Sequence, residues 1–403
     1  MKYKHIAILI FLLFTQLFSR ASDIKEGSWV GKLHLQESNE LSFVFEVDNK
    51  NKIVIKNGKE RIEMNSLTQE NDSLKVYFSS FPNYLIFKID SLNKNNLAGY
   101  FVNPDRKKHS RIAFSAEFYE SFGIEDLGDE VQNIEGNWQV AFSPNSSSEY
   151  PAIGKFEQNN HIISGTFLTE TGDYRFLTGS MVDNKLKLST FDGAHIFMFN
   201  ATLKDDTLKG EFLSGNHWKT NWIGFKNEKI KLKDPDSLTY MVKDNFAVNF
   251  ETTERKNYKI PNKELKNKVV IVQILGTWCP NCLDETLFYN ELYEKYNHLG
   301  LEIIGVAYES PKSFEDKVER INRYTKNKEV KYEVLVGGQA SKDECSLDFN
   351  MVNQISSFPT SFFINKYGEV VKIHTGFNGP GTGEIYIEYK KKIIELIERL
   401  LNE

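Results

Sequence analysis

GTWCPNC, residues 276–282, holds two of the chain's three cysteines, with only Pro280 and Asn281 between Cys279 and Cys282. Thiols this close can staple a turn, form half of a metal site or pass electrons, and the flanking sequence has to decide. Upstream, VVIVQIL (269–275) is a nearly continuous apolar run, as in a strand covered on both faces. Downstream, Leu283, Leu287, Phe288, Leu292, Tyr296 and Leu299 recur at helical spacing, and Gly300 supplies a stop. The pair therefore sits where a central strand hands over to a helix. Pro280 suits the first helical turn, where its missing N–H costs nothing. Cys279 is then placed at the helix N-terminus, where unpaired N–H groups and the positive end of the dipole favour a thiolate. Cys282, three residues on, faces the same side and can close a ring with it.

The alternation continues. LEIIGVAY (301–308) reads as a second buried strand and residues 312–324 as a helix. YEVLV (332–336), TSFFI (360–364) and EVVKIH (369–374) are further strands, and residues 384–401 form a closing amphipathic helix. Strands and helices in this order build an α/β layered domain. Zinc is the main rival for the cysteines, but it needs more Cys or His ligands, and only Cys345, His298 and His374 occur here, singly. Cys345 reads as a buried free thiol.

Over about residues 240–403 this domain resembles the thioredoxin fold and, within it, the TlpA/ResA-like family of exported thiol–disulfide oxidoreductases. GTWCPNCLDE (276–285) is similar to the family's tryptophan–CxxC segment, with Glu285 at the glutamate position three residues after the second cysteine. Residues 355–377 resemble the cis-proline strand and following hairpin, and residues 310–349 fall where the family inserts an extra helix and strand. The resemblance implies Cys279 and Cys282 as catalytic thiols and redox-active disulfide, with Glu285 shuttling a proton between them and their surroundings. It implies Trp278, Phe358 and Pro359 beside the substrate, and neither metal nor cofactor. Its expected partners are proteins carrying disulfides, with a membrane thiol carrier as electron donor. Two positions depart from the pattern. Leu275-Gly276 stands where an aromatic residue and Ala are common, and Asn281 lies between the cysteines, where the intervening dipeptide tunes redox potential. Two other functions stay open: a thiol peroxidase of the peroxiredoxin type, and a binding protein whose thioredoxin domain only docks.

Residues 22 to 232 have a different texture. Short β-branched and aromatic runs, such as LSFVFEV (41–47) and AHIFMFN (194–200), alternate with Asn, Asp, Gly and Ser clusters, as in antiparallel strands with tight turns. They also repeat. EGSW (26–29) returns as EGNW (135–138). At a constant offset of 111 residues Phe45 falls on Phe156, Leu97 on Leu208, Gly99 on Gly210 and Phe114 on Phe225. The expectation is a multidomain chain: two tandem antiparallel β modules, barrel or sandwich, at 22–125 and 130–232, then a thioredoxin-like α/β domain at 236–403. The modules read as structural or docking units.

The first 21 residues read as a signal peptide: Lys2 and Lys4, the apolar run 6–14, then Ser19 and Ala21 at the −3 and −1 positions of a cut before Ser22. The run falls short of the ~20 residues of a spanning helix. This places the protein in the periplasm or cell envelope, without stable membrane insertion. Outside the cytoplasm disulfides persist, and a stapled fold would carry several pairs, so the close pair is chemical rather than structural. A formal charge of −5 with no long basic run argues against nucleic acid. N-terminal sequencing of exported protein should begin at Ser22; Met1 on a chain that stays with membranes through a carbonate wash would refute the cleavage.

Overall fold

The computed structural model describes residues 24–119 and 132–403; the leader expected at 1–21 and the module boundary expected at 125–130 lie outside the described residues. The described residues form three sheets, two all-antiparallel ones followed by a mixed one flanked by helices.

In the first sheet the strand Glu40–Val47 buries Leu41, Phe43, Phe45 and Val47 and turns the intervening residues outward. This is the period-two pattern of a half-buried sheet. Its strands lie in the order Glu60–Glu63, Ile53–Asn57, Glu40–Val47, Gly27–His34, Arg111–Tyr119, Asn96–Val102, Tyr84–Ile89, Ser73–Tyr77, Thr68–Glu70. The second sheet repeats the plan with a difference. Tyr150–Asn159 pairs with both Gly136–Phe142 and Ile162–Thr169, so eight strands close into a barrel and the short strand Gly172–Asp173 hangs from its rim. Closure removes the exposed edges. The repeat is visible in detail. Trp29 Nε1 donates to the carbonyl of Lys25 at 2.9 Å, and Trp138 Nε1 to that of Ile134 at 2.8 Å. At Gly99 and Gly210 a Cβ would stand 2.0 and 1.8 Å from a carbonyl oxygen of the adjacent strand, so neither position admits a side chain.

The first sheet is not closed by its own ladder. Across its seam, among the described residues, runs an isolated bridge between Met64 and Phe78. The second module fills the gap. Phe191, last residue of the strand Lys185–Phe191, inserts its ring among Phe43, Phe78 and Phe101, at centroid distances of 4.6, 5.4 and 5.3 Å. The Asn57 amide donates to the Phe191 carbonyl at 3.0 Å and that of Asn83 to Gly193 at 2.6 Å. The two modules are alike in plan but share a core.

The third sheet runs Asn257–Ile260, Val248–Glu251, Glu333–Gln339, Leu301–Glu309, Val269–Leu275, Thr360–Ile364, Val370–Thr375. Val269–Leu275 is buried along its whole length, parallel to Leu301–Glu309 and antiparallel to Thr360–Ile364. Val269 and Ile271 face helices α1 (Pro280–Tyr296) and α4 (Glu384–Asn402), while Val270, Val272 and Ile274 face the side closed by α3 (Lys342–Asp348); α2 (Phe314–Asn327) follows Leu301–Glu309. Gly300, at φ +106°, ends the turn after α1. The strands at 248–251 and 257–260 and helix α3 went unread in the sequence, because each carries too few apolar residues to show a period. The charged stretch 227–238 is stitched down: Asp236 accepts from Lys372, and its Oδ1 lies 2.7 Å from His374 Nδ1.

Phe191→Ala should loosen the first module and spare the second. Emptying such a site costs about 3–5 kcal/mol. Hydrogen–deuterium exchange should quicken in the strands carrying Phe43, Phe78 and Phe101 and stay unchanged in the closed barrel. Equal acceleration in both would refute the asymmetric plug.

Candidate active site

Cys279 is the N-cap of α1 and Pro280 its first residue. The N–H of Cys282 points at the Cys279 sulfur from 3.3 Å, so a helix-end donor that would otherwise lack a partner faces that sulfur. Cys279 is 8% exposed and Cys282 is fully buried beneath it. Burial, then the neighbouring Cys279, pushes the Cys282 thiol well above its usual range. Both cysteines are free thiols. The Cys279 thiol also lies 3.7 Å from the carbonyl oxygen of Phe358, and the Phe358–Pro359 peptide is cis. Trp278 donates from Nε1 to the Tyr308 carbonyl at 2.9 Å and meets Phe358 edge-on at 5.7 Å. The structure thus brings Trp278, Cys279, Cys282, Phe358 and Pro359 to one place.

Glu285 is buried under the thiols rather than solvated. Cys282, Glu285, Tyr289, Leu292 and Tyr296 form one stripe of α1, and the stripe faces the sheet. Glu285 Oε2 accepts from Gln273 Nε2 at 2.9 Å and Ser361 Oγ at 3.1 Å, and Oε1 from the Tyr289 hydroxyl at 3.1 Å. Burial pushes its carboxyl up to about 8 against these donors. Cys345 lies elsewhere, in the core on the opposite face of the sheet.

Sequence reasoning missed a second buried acid. Glu309, the last residue of Leu301–Glu309, receives the Thr277 N–H and hydroxyl, each at 2.8 Å, and so pins the loop that delivers Cys279. Burial raises its carboxyl to about 7. A charged residue closing the apolar run 303–308 was the available signal.

The modules reach the same spot. Arg175, fully buried in the second module, pairs with Glu60 of the first, Asp192 of the second and Asp284 of α1, and its Nη1 donates to the Pro280 carbonyl at 3.2 Å. Asn281, a departure from the family's pattern, has a structural use: its amide donates to the carbonyls of Phe377 at 3.1 Å and Asp173 at 3.3 Å. Ser357 donates to the Thr171 carbonyl at 3.3 Å, and Gly172 bridges Phe377. Between these contacts a cleft of about 790 Å³ opens above Cys279, walled by both modules and the thioredoxin domain.

Three comparisons bear on this site. The profile of the AhpC/TSA family matches residues 244–373. Thiol-disulfide oxidoreductase ResA of Bacillus thuringiensis subsp. konkukian is 32% identical over 149 residues, covering 36% of this chain and 76% of that protein; ResA of Bacillus subtilis is 30% identical over 130 residues, 32% and 65%. The solved structure of StoA from Bacillus subtilis aligns with a TM-score of 0.26 at 20% identity, over 36% of this chain and 95% of that one. A thiol-disulfide oxidoreductase from Bacteroides fragilis aligns at 0.28 and 12%, over 36% and 99%. On the ResA relationship the chain belongs, through its C-terminal domain, to the TlpA/ResA-like family of thiol–disulfide oxidoreductases.

Proposed function

We propose that this oxidoreductase works in the cell envelope as a reductase of protein disulfides, with Cys279 attacking and Cys282 resolving. The observation that carries the reading is the stacking of the two sulfurs at the start of α1: one at the helix end under a backbone N–H, the other sealed below. Attack by the Cys279 thiolate forms a mixed disulfide and expels one substrate thiolate. Cys282 then attacks Cys279, closes the intramolecular disulfide and releases the second thiolate. Two electrons and two protons pass to the substrate, and an external dithiol, in family terms a membrane thiol carrier, returns them. Trp278, Phe358 and Pro359 border the attacking sulfur and hold the substrate chain. The working units are a leader at 1–21, modules at 22–125 and 130–232, and the thiol domain at 236–403. The AhpC/TSA match favours one second reading, a peroxidase. Insulin reduction at a catalytic rate, with peroxide consumed no faster than by an ordinary thiol, supports the reductase; the reverse pattern supports the peroxidase.

Cys282→Ser should accumulate mixed disulfides with partner proteins that vanish on adding reductant, and Cys279→Ser should trap none. Non-reducing gels of both variants from an exporting host test this; the opposite pattern reverses the roles.

Glu285 is the group proposed to take the proton of Cys282, whose thiol feels its charge. With its carboxyl at about 8, the base form appears only as pH rises through that value. The wild-type rate with a small disulfide should climb across pH 8, and Glu285→Gln should lose the climb and run about 10–100-fold slower at pH 9. Stability moves the other way. Between the ordinary value of 4.5 and about 8 the folded carboxyl keeps a proton that the unfolded chain has released, so the wild type loses stability over that range. Glu285→Gln should be no less stable than wild type at pH 9. Superimposable pH–rate profiles would make Glu285 a spectator.

A further inference from the structure

The cleft above Cys279 is a composite of all three domains, and its charges are unevenly matched. Asp105 pairs with Arg320 of α2. Glu170 pairs with Lys233 at 3.5 Å. Asp173 accepts the N–H groups of Arg175 at 2.9 Å and Gly379 at 2.7 Å. His195 lies 3.0 Å from Asp192. Arg106 lines the same cleft, is partly buried, and among the described residues has no carboxylate partner. Its neighbourhood resists further positive charge: burial, then Arg106 and His109, hold His217 down to about 4, so that imidazole is neutral at working pH. The cleft therefore presents one uncompensated cation, and a guanidinium is the side chain best shaped to grip a carboxylate.

The rest of the lining is aromatic. Phe81 comes from the first module, Tyr150, Tyr174 and Phe197 from the second, Trp278 and Phe358 from the thiol domain. The volume, about 790 Å³, is that of a site for a small molecule or a few residues of chain, roughly 300–1,000 Å³. Cys279 is only 8% exposed at its floor, so a disulfide held flat on a folded surface does not reach the sulfur; one on an extended segment does.

We propose that the β modules are the specificity wall of the thiol site, and that Arg106 selects polypeptide segments carrying an acidic side chain next to the disulfide-bonded cysteine. This rests on the reductase reading and adds its substrate class. The segment enters extended, its apolar side chains lie on the aromatic wall, and its carboxylate pairs with Arg106 as Cys279 attacks the sulfur. The shared chemistry is a carboxylate beside a disulfide, which a small dicarboxylic disulfide also offers.

The test uses the full mature chain. Substrates are two blocked tetrapeptide disulfides that differ only in the residue before cysteine, aspartate or lysine, with dithiodipropionate and the neutral bis-hydroxyethyl disulfide beside them. In the wild type kcat/KM should favour the aspartate peptide by about tenfold, the scale of one charge-assisted hydrogen bond. The preference should fall to about one in Arg106→Gln, invert in Arg106→Glu and survive in Arg106→Lys. Added salt should shrink it in the wild type, a readout that needs no variant to fold. A peptide preference that is the same in wild type and Arg106→Gln, or insensitive to salt, overturns the proposal. So does a preference for dithiodipropionate over bis-hydroxyethyl disulfide as large as that between the peptides, which would assign the cleft to small acids. A wild type that fails to reduce even bis-hydroxyethyl disulfide brings down the reductase reading itself; one that reduces it but treats both peptides alike overturns the cleft proposal alone.

Discussion

The guanidinium of Arg175 is the point on which the three domains converge. It is buried, and its partners Glu60, Asp192 and Asp284 come from the first module, the second module and α1. Burying one cation is costly, and removing a partner from such a group typically costs about 3–5 kcal/mol because a charge is left uncompensated. The cluster therefore penalises any displacement of α1 from the modules. Its carboxylates are not equivalent. Burial opposes the charge on Asp192, but His195 and Arg175 hold its carboxyl down to about 2. Asp284 has Arg175 but no histidine, and burial raises it to about 7. One cation cannot hold three buried anions at equal strength, and Asp284, on the thiol helix, is the one left near neutrality.

That convergence explains the shape of the site. Arg175 Nη1 and the Asn281 amide tie the second module to the first turn of α1 from one side. The Arg320–Asp105 pair and the bonds from Asn327 and Lys328 to Ser79, at 2.8 and 3.0 Å, tie the first module to α2 from another. The cleft is what remains between these anchors. A free thioredoxin domain would present Cys279 on an open surface, whereas here the sulfur is reached only past module side chains.

Much of this was legible in the sequence, and the limits have physical causes. The run at 269–275, the helical spacing after Cys282 and the stop at Gly300 are local signals, and the elements form where they point. The offset of 111 residues exposed the duplication, and Gly99 and Gly210 keep it because strand backbones pass too close for a Cβ. What escaped was non-local. That the second sheet closes while the first borrows Phe191 depends on pairings and packing far apart in the chain, to which an apolar residue at a strand end gives no clue. Arg175 lies more than 100 residues from both Glu60 and Asp284, so no spacing rule finds it. Glu285 was legible: it shares the apolar stripe of Leu292 and Tyr296 with Cys282 and Tyr289, and the structure buries it there.

The buried acids around α1 form a set with one electrostatic sense. Glu285, Glu309 and Asp284 each lie in the first two turns of the helix or beneath the loop that leads to it, and burial lifts their carboxyls to about 8, 7 and 7. Three permanent anions there would add negative charge around the helix start, where the dipole favours an anion at Cys279. Raised carboxyls avoid this. At neutral pH Glu285 is mostly protonated and Glu309 and Asp284 about half, so the helix start carries less negative charge than three ordinary carboxylates would place there. Each accepts hydrogen bonds in either form and gains its full negative charge only as pH climbs past its own value. Lifting the acids by burial lets the same groups pack the thiol helix against the sheet and the modules without cancelling the charge that exchange requires.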